Sequence, residues 1–286
     1  MSAVAQLQEV DNRITPPVAH FALHMVNTSD IAETMCDRCA LSAICLPEGL
    51  AQSERRDFTA LIFQHKRLIA GQPLFHAGEP FSRLYFVKAG SFKTVVLLDD
   101  GREQVTGFHF AGDVLGIDAI SSPNHPSEAI ALEDASVCAI PFAQLTLLSR
   151  KVEHLQSYVQ RLLAREVVRD QGLMLLLGRM RAEERVAAFL MNLSNRFRAR
   201  GYSPHEFSLP MAREEIGNYL GLTLETVSRC FSRLKKARVL DVMNRDICIR
   251  SVDALQKVVA GAGCERPQRL SKRKIAGNAS AVTLQS

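Results

Sequence analysis

The stretch that decides the fold of the C-terminal part is residues 210–238, PMAREEIGNYLGLTLETVSRCFSRLKKAR. Pro210 precedes an apolar pattern of helical spacing over Met211–Tyr219, which predicts a first helix. Gly221 then supplies a tight turn, and Thr223 is suited to cap a second helix that ends near the end of the stretch. Two short helices joined by such a turn predict a helix-turn-helix.

The second helix has two chemically different faces. Its inward face is predicted from apolar residues at i, i+4 and i+7, which are Val227, Phe231 and Leu234. The opposite face carries three side chains that can hydrogen-bond to base edges: Glu225, Ser228 and Arg229. An arginine can bind guanine O6 and N7, and a glutamate can accept from cytosine N4. A polar helix face is also what solvent alone would favour, so the pattern leaves both interpretations open.

Basic residues are concentrated in the last third of the chain. Residues 1–180 carry 16 lysines and arginines against 20 acidic residues, whereas residues 181–264 carry 14 against 9. Residues 265–286 add 5 against 1. This asymmetry favours an acidic partner such as double-stranded DNA, although a basic tail also promotes solubility.

Upstream of this region, the sequence predicts a β-rich domain followed by a long helix. Short apolar strands alternate with Gly and Pro turns, which indicates an antiparallel roll or barrel. The helix has one predicted apolar seam, formed by Leu155, Val159, Leu162, Leu173, Leu177 and Met180. The predicted parts are a flexible leader (1–35), a cysteine loop with a short helix (36–57), the β domain (58–142), a helical region (143–181), a winged helix-turn-helix (182–258) and a basic disordered tail (259–286).

Polar residues interrupt the seam midway, at Glu166, Arg169 and Asp170. One interpretation is a helix that turns a charged face to solvent. The other is a homodimer seam that is weakened because like charges face each other across a two-fold axis. The candidate dimer-switch residues are therefore Glu166, Val167 and Asp170.

The composition, 47% hydrophobic and 23% charged, is typical of a soluble protein. No run of about eighteen apolar residues exists, and residues 1–30 lack the order of a signal peptide, so we expect a cytoplasmic protein with no membrane partner. We predict no enzyme and no catalytic residue, because no nucleophile–His–acid motif occurs.

Seven cysteines in a reducing compartment indicate metal or redox chemistry rather than disulfides. Cys36, Cys39 and Cys45 lie within ten residues, so one loop could wrap a single centre. Cys138, in a predicted strand of the same half, is the candidate fourth ligand. Zinc sites more often pair two short hairpins, whereas iron–sulfur clusters accept uneven spacing. Spacing alone leaves iron–sulfur, structural zinc and unligated thiols open.

Further segments resemble the FNR-type members of the CRP/FNR superfamily of bacterial regulators, over about residues 36–258. Besides the cysteine triplet, the matching segments are Gln104–His109, Ala111–Asp113, Val137–Phe142, Ala182–Arg185 and Ile216–Thr223. Because so many separate matches occur in order, the resemblance is highly specific.

The resemblance implies an α+β fold with an antiparallel β-roll sensory domain of the cyclic-nucleotide-binding type, a long dimerisation helix and a C-terminal winged helix-turn-helix. It implies a [4Fe–4S] cluster on Cys36, Cys39, Cys45 and Cys138. The cluster would promote homodimerisation and DNA binding under low oxygen and would be lost on oxidation. Glu225, Ser228 and Arg229 would recognise palindromic TTGAT-type half-sites. The alternative is a CRP/FNR-type regulator with structural zinc or thiol redox sensing.

The chain departs from the superfamily pattern at two places. His125 and Pro126 replace the Arg-Ser pair that neutralises a cyclic phosphate, and Ile117 replaces a glutamate, so we expect no cyclic nucleotide. The predicted hairpin from Leu97 to Arg102 resembles the surface that contacts RNA polymerase. Its candidate contacts are Leu97, Gly101 and Arg102, where Arg102 stands in place of an acidic residue.

Overall fold

The structure is a computed structural model that describes residues 36–62 and 64–261. The helices are α1 (Ser42–Cys45), α2 (Gln52–Ala60), α3 (Phe142–Ser149), α4 (Glu153–Arg179), α5 (Ala182–Ala199), α6 (Arg213–Leu220), α7 (Leu224–Lys236) and α8 (Val252–Val259). The strands are β1 (Gln64–Leu68), β2 (Pro73–Phe75), β3 (Arg83–Ala89), β4 (Ser91–Leu97), β5 (Glu103–Phe110), β6 (Val114–Leu115), β7 (Glu128–Ala131), β8 (Ala135–Pro141), β9 (Glu206–Ser208), β10 (Leu240–Met243) and β11 (Asp246–Ile249). The predicted leader, 1–35, and most of the predicted tail lie outside the described residues.

Strands β1–β8 form an antiparallel roll of two four-stranded sheets, ordered β1-β8-β3-β6 and β2-β7-β4-β5. Both faces of the first sheet are covered. Because successive side chains of a strand point to opposite faces, Val87 of β3 lies in the roll interior, whereas Leu84 and Phe86 pack against helices. One of the helical residues that pack on this face is Phe58 of α2. Position 58, where the β domain is predicted to begin, is therefore helical, and the first strand begins at Gln64.

Helix α4 has two apolar faces where the sequence predicted one seam. Leu155 and Leu162 are buried in the same cluster as Leu84 of the roll, so this part of the seam is intramolecular. A different stripe of α4 is exposed, and Val167 and Met174 in it are 54% and 65% exposed. Because both faces are apolar, the periodicity of the sequence does not distinguish them and predicts a single seam.

The C-terminal part is a winged helix-turn-helix. Val227, Phe231 and Leu234 of α7 are buried in its core, as predicted, and Cys230 joins them. The wing is a three-stranded sheet ordered β10-β11-β9, and its strand β9 escaped prediction because it has only three residues. No helix within the described ranges combines the length and apolar character needed to cross a membrane. The predicted α+β class, with roll, long helix and winged helix-turn-helix, is confirmed.

Helix α6 docks on the outer strand β5 of the roll, and Asn218 makes the most extensive hydrogen bonding there. The Asn218 Oδ1 accepts from the Val105 N–H at 2.6 Å, and the Asn218 Nδ2 donates to the Glu103 carbonyl at 2.7 Å. The Gln104 Nε2 donates to the Asn218 carbonyl at 2.8 Å. The amide of Asn218 therefore pairs with β5 as a neighbouring strand would.

Candidate cysteine centre and DNA-recognition helix

The four predicted cysteines line one small cavity. Cys36 and Cys39 lie in a turn, Cys45 is the last residue of α1, and Cys138 lies on β8. The remaining wall is largely apolar and includes Phe58, Phe86 and Ile140, together with the side chain of Lys88. Thiols from two separate parts of the chain thus meet at one place, as the sequence predicted.

Local hydrogen bonds fix the backbone at these cysteines. The Cys39 N–H donates to the Cys36 carbonyl at 3.2 Å, and the Cys45 N–H to the Leu41 carbonyl at 2.9 Å. Cys138 pairs in register with His65 of β1, and its Sγ lies 3.4 Å from the His65 Nδ1. The segment is also joined to α4, because the Tyr158 hydroxyl donates to the Cys45 carbonyl at 2.8 Å. Sequence reasoning missed this tyrosine, which lies 113 positions away.

Burial dominates the electrostatics of the thiols. It raises the pKa of Cys45 to about 12 and of Cys138 to about 11, and nearby thiols add to both increases. The pKa of Cys36 is raised by the same two causes. The Arg200 guanidinium partly offsets the increase in the pKa of Cys45. These three sulfurs are therefore protonated at neutral pH, and a metal that binds there has to displace their protons.

As placed, the thiols do not form a site for one ion. Within 36–62 and 64–261, no three side chains of His, Cys, Asp or Glu are arranged to hold a single metal ion. A mononuclear zinc site needs four sulfurs at about 2.3 Å from one point. The cavity is about 30 Å³, which is room for about two water molecules.

The recognition helix α7 begins as predicted. Gly221 has a φ of 63°, which lets the chain turn after α6, and the Thr223 hydroxyl accepts from the Thr226 N–H at 3.2 Å. Glu225 and Arg229 are exposed and form an ion pair with each other one helical turn apart. Their charged groups are thus available to DNA.

Ser228 is less exposed than its two neighbours in the predicted contact set, because Arg213 lies beside it. The Arg213 Nη1 is 3.4 Å from the Ser228 hydroxyl, and its guanidinium lies over the Phe231 ring at 5.4 Å from the ring centre. Sequence reasoning missed Arg213. Its place, at the start of α6 and facing α7, is set by the packing of two helices.

The candidate dimer-switch residues do not share one environment. Val167 is exposed, whereas Glu166 is half-buried and accepts from the Arg169 Nη1 at 3.0 Å. Glu166 and Asp170 line a cavity of about 330 Å³ between α4 and the roll. Burial raises the pKa of Glu166, and Arg169 opposes that increase.

The departures from the superfamily pattern have defined places. His125 is buried and stacked on Phe75 with ring centres 3.8 Å apart, while Pro126 and Ile117 line the cavity beside α4. At the β4–β5 turn, Leu97 is exposed and Arg102 is bonded to Asp100 at 2.7 Å. Gly101 lies in the same turn and is exposed.

Comparisons with known proteins agree with this architecture. Residues 65–151 match the cyclic nucleotide-binding domain family, and residues 184–258 match the Crp-like helix-turn-helix domain family. The fumarate and nitrate reduction regulatory protein of Yersinia pestis is 44% identical over 233 residues, which are 82% of this chain and 92% of that protein. The protein of the same name from Escherichia coli K12 is 45% identical over 223 residues, 78% of this chain and 89% of that protein.

The chain belongs to the fumarate and nitrate reduction regulatory protein (FNR) family. Among solved structures, FixK2 from Bradyrhizobium japonicum is 34% identical with a TM-score of 0.63, over 68% of this chain and 96% of that one. This FNR-family chain is a DNA-binding transcription regulator of the CRP/FNR type. The Crp-like match covers α6 and α7, so the recognition helix described above belongs to the domain that binds DNA.

Proposed function

We propose that this FNR-family protein is an oxygen-responsive regulator, without catalytic activity, that acts in the cytoplasm. A [4Fe–4S] cluster would be held by Cys36, Cys39, Cys45 and Cys138. The observation that carries the proposal is the meeting of four thiols, from a loop and from β8, in one largely apolar cavity. When bound, such a cluster supplies a group that molecular oxygen oxidises.

The donor set fits a cluster better than a single zinc ion. Four thiolates can ligate either one, but a triplet with a remote fourth cysteine favours a cluster, since zinc sites more often pair two short hairpins. We infer that a bound cluster repositions the segment from Cys36 to Cys45, so that the position of the segment depends on the cluster being there.

This movement has a direct path to α4. The Tyr158 hydroxyl is bonded to the Cys45 carbonyl, so the segment and α4 move together. The exposed stripe of α4 has residues at steps of four and three, which is the spacing of a two-helix seam: Leu163, Val167, Asp170 and Met174. The half-buried Leu177 continues this spacing. A second copy of the chain would bury this stripe, with Asp170 facing its symmetry mate as the site of repulsion.

The homodimer would present two copies of α7 to a palindromic site with TTGAT-type half-sites. Glu225, Ser228 and Arg229 would contact the bases, because the two charged side chains are exposed and Ser228 lies between them. We further propose that the β4–β5 turn, with Leu97, Gly101 and Arg102, contacts RNA polymerase. The buried, stacked His125 supports the expectation that no cyclic phosphate binds.

The test is purification without oxygen, followed by iron and sulfide analysis and by spectra before and after exposure to air. We expect about four irons per chain, visible absorbance that fades in air, and DNA affinity that falls with it. Cys138→Ser should abolish all three properties. Cys248→Ser is the matched control, since Cys248 is a half-buried thiol in the wing, and should leave them unchanged. A colourless protein with one equivalent of zinc would refute the proposal.

A further inference from the structure

The cysteine segment lies directly on the turn formed by residues 111–113 of the roll. Gly112 has a φ of 89°, and a Cβ added there would lie 2.9 Å from the Ile44 Cγ2, so only glycine permits this approach. The Gly112 N–H donates to the Val87 carbonyl at 2.8 Å, which fixes the turn to β3. Ile44 is the residue before Cys45. A movement of the cysteine segment would therefore tighten or loosen the contact between Ile44 and this turn.

Arg200 holds the same turn from the DNA-binding domain. It follows the last residue of α5, and its side chain is 10% exposed. Its Nε donates to the Ala111 carbonyl at 2.5 Å, its Nη2 to the Asp113 Oδ1 at 2.7 Å and its Nη1 to the Arg196 carbonyl at 2.9 Å. The Arg200 Nε is also 3.8 Å from the position of a Cβ on Gly112. Ile44 and Arg200 therefore contact the turn at the same glycine.

The charges around the turn make this contact rigid. Asp113 is 9% exposed and accepts from Arg196 and Arg200, while Arg169 of α4 lies 3.7 Å away. Burial opposes ionisation of Asp113, but the three guanidinium groups outweigh it and lower the pKa of this carboxyl. Because buried charges are costly to separate, α5 is expected to follow the turn rather than to detach from it.

We propose that Arg200 is a positioning residue that carries the state of the cysteine centre to the DNA-binding domain, through Ile44 and the Gly112 turn. This route runs within one chain and does not pass through the dimer seam of α4. It rests on the proposed function, because it is the cluster that would set the position of the segment.

The test measures DNA affinity in the full-length protein with its cluster and after air has removed it. The ratio of the two affinities is the coupling, for which allosteric proteins give roughly 5- to 150-fold. Arg200→Gln should lower this ratio by about threefold or more, with iron content and dimer fraction unchanged, because the part of the ratio that comes from dimerisation through α4 remains. Ile44→Ala removes the contact on the other side of the turn and should lower the ratio in the same way. Arg200→Lys, which keeps the charge, should restore part of it.

Arg198→Gln is the matched control, since this arginine is exposed on the same helix and should leave the ratio unchanged. A second measurement is hydrogen exchange of the α5 amides, which should depend on the cluster in the wild type and not in Arg200→Gln. The inference is overturned if Arg200→Gln changes both affinities equally and keeps the ratio. A wild type that binds no iron would instead remove the proposed function, and this inference with it.

Discussion

Two of the polar contacts between the roll and the DNA-binding domain differ in chemistry. At the 111–113 turn, buried Asp113 is surrounded by three arginines, and strong but weakly directional charge interactions hold the domains. At β5, the neutral amide of Asn218 forms short hydrogen bonds whose direction is fixed. The charged contact is costly to break because it would leave buried charges unpaired, while the amide contact sets the register of α6 against the roll.

The largest expected effect comes from removing the negative charge at the first contact. Asp113→Asn leaves Arg196 and Arg200 buried without a counter-charge, and breaking such a pair costs about 3–5 kcal/mol. Urea unfolding of the full-length protein measures this loss. Asp118→Asn, an exposed aspartate of the same roll, should cost about 1 kcal/mol or less. Equal losses in both variants would contradict the picture of a charge centre.

Acid should weaken the same contact through His109, which is buried beside it. Burial, and then Arg169, lower the pKa of His109 to about 3. Below about pH 6.5 this histidine binds a proton in the unfolded chain but stays neutral in the folded chain. The free energy of unfolding therefore falls as the pH drops. Between pH 7 and pH 5 the expected loss from this group is about 2 kcal/mol. Asp113, whose pKa is lowered, retains its contribution over this range.

The measurement is the free energy of unfolding at several pH values for the wild type and for His109→Gln. The variant should show a flatter profile between pH 7 and pH 5. His65 and His125, whose pKa values burial also lowers, would account for the slope that remains. His205→Gln, an exposed control, should keep the wild-type slope. An unchanged slope in His109→Gln would show that this histidine is protonated in the fold.

The second contact should be weaker. Asn218→Ala removes two hydrogen bonds to β5, and because Asn218 is only half-buried, water can replace them at a cost of about 1–2 kcal/mol. The loss should be accompanied by faster hydrogen exchange of the Val105 amide. Asn192→Ala, at an exposed position on α5, serves as the control. If exchange at Val105 were unaffected, the register function of Asn218 would be wrong.

The smallest effect is expected at the ion pair next to Asn218. The Lys93 Nζ lies 2.7 Å from the Glu215 Oε1, and the two side chains are 17% and 22% exposed. A double-mutant cycle with Lys93→Met and Glu215→Gln should give about 1 kcal/mol or less. A coupling larger than the stability loss of Asn218→Ala would reverse the ranking of the ion pair and the amide among the contacts of α6 with the roll.

Local signals in the sequence predicted the parts of the molecule that are made locally. Thr223 caps α7 and Val227 packs inward because both depend on helical spacing alone. The triplet from Cys36 to Cys45 is also local. The hydrogen-bond partners of Cys45 and of strand β5 were not predictable. Tyr158 lies 113 positions from Cys45, and Asn218 lies 113 positions from Val105. Such contacts depend on how folded domains pack against each other, and the periodicity of a sequence carries no information about that packing. The assignment of a [4Fe–4S] cluster and the domain boundaries remain predictions.

The amide of Asn218 has a consequence beyond the orientation of α6. Strand β5 is at the end of its sheet, and an uncovered end strand is a template on which other chains can pair. Asn218 occupies the Val105 N–H and the Glu103 carbonyl within the same molecule. If the two domains separated, these backbone groups of β5 would become exposed. The protein would then aggregate through β5 as well as lose DNA binding.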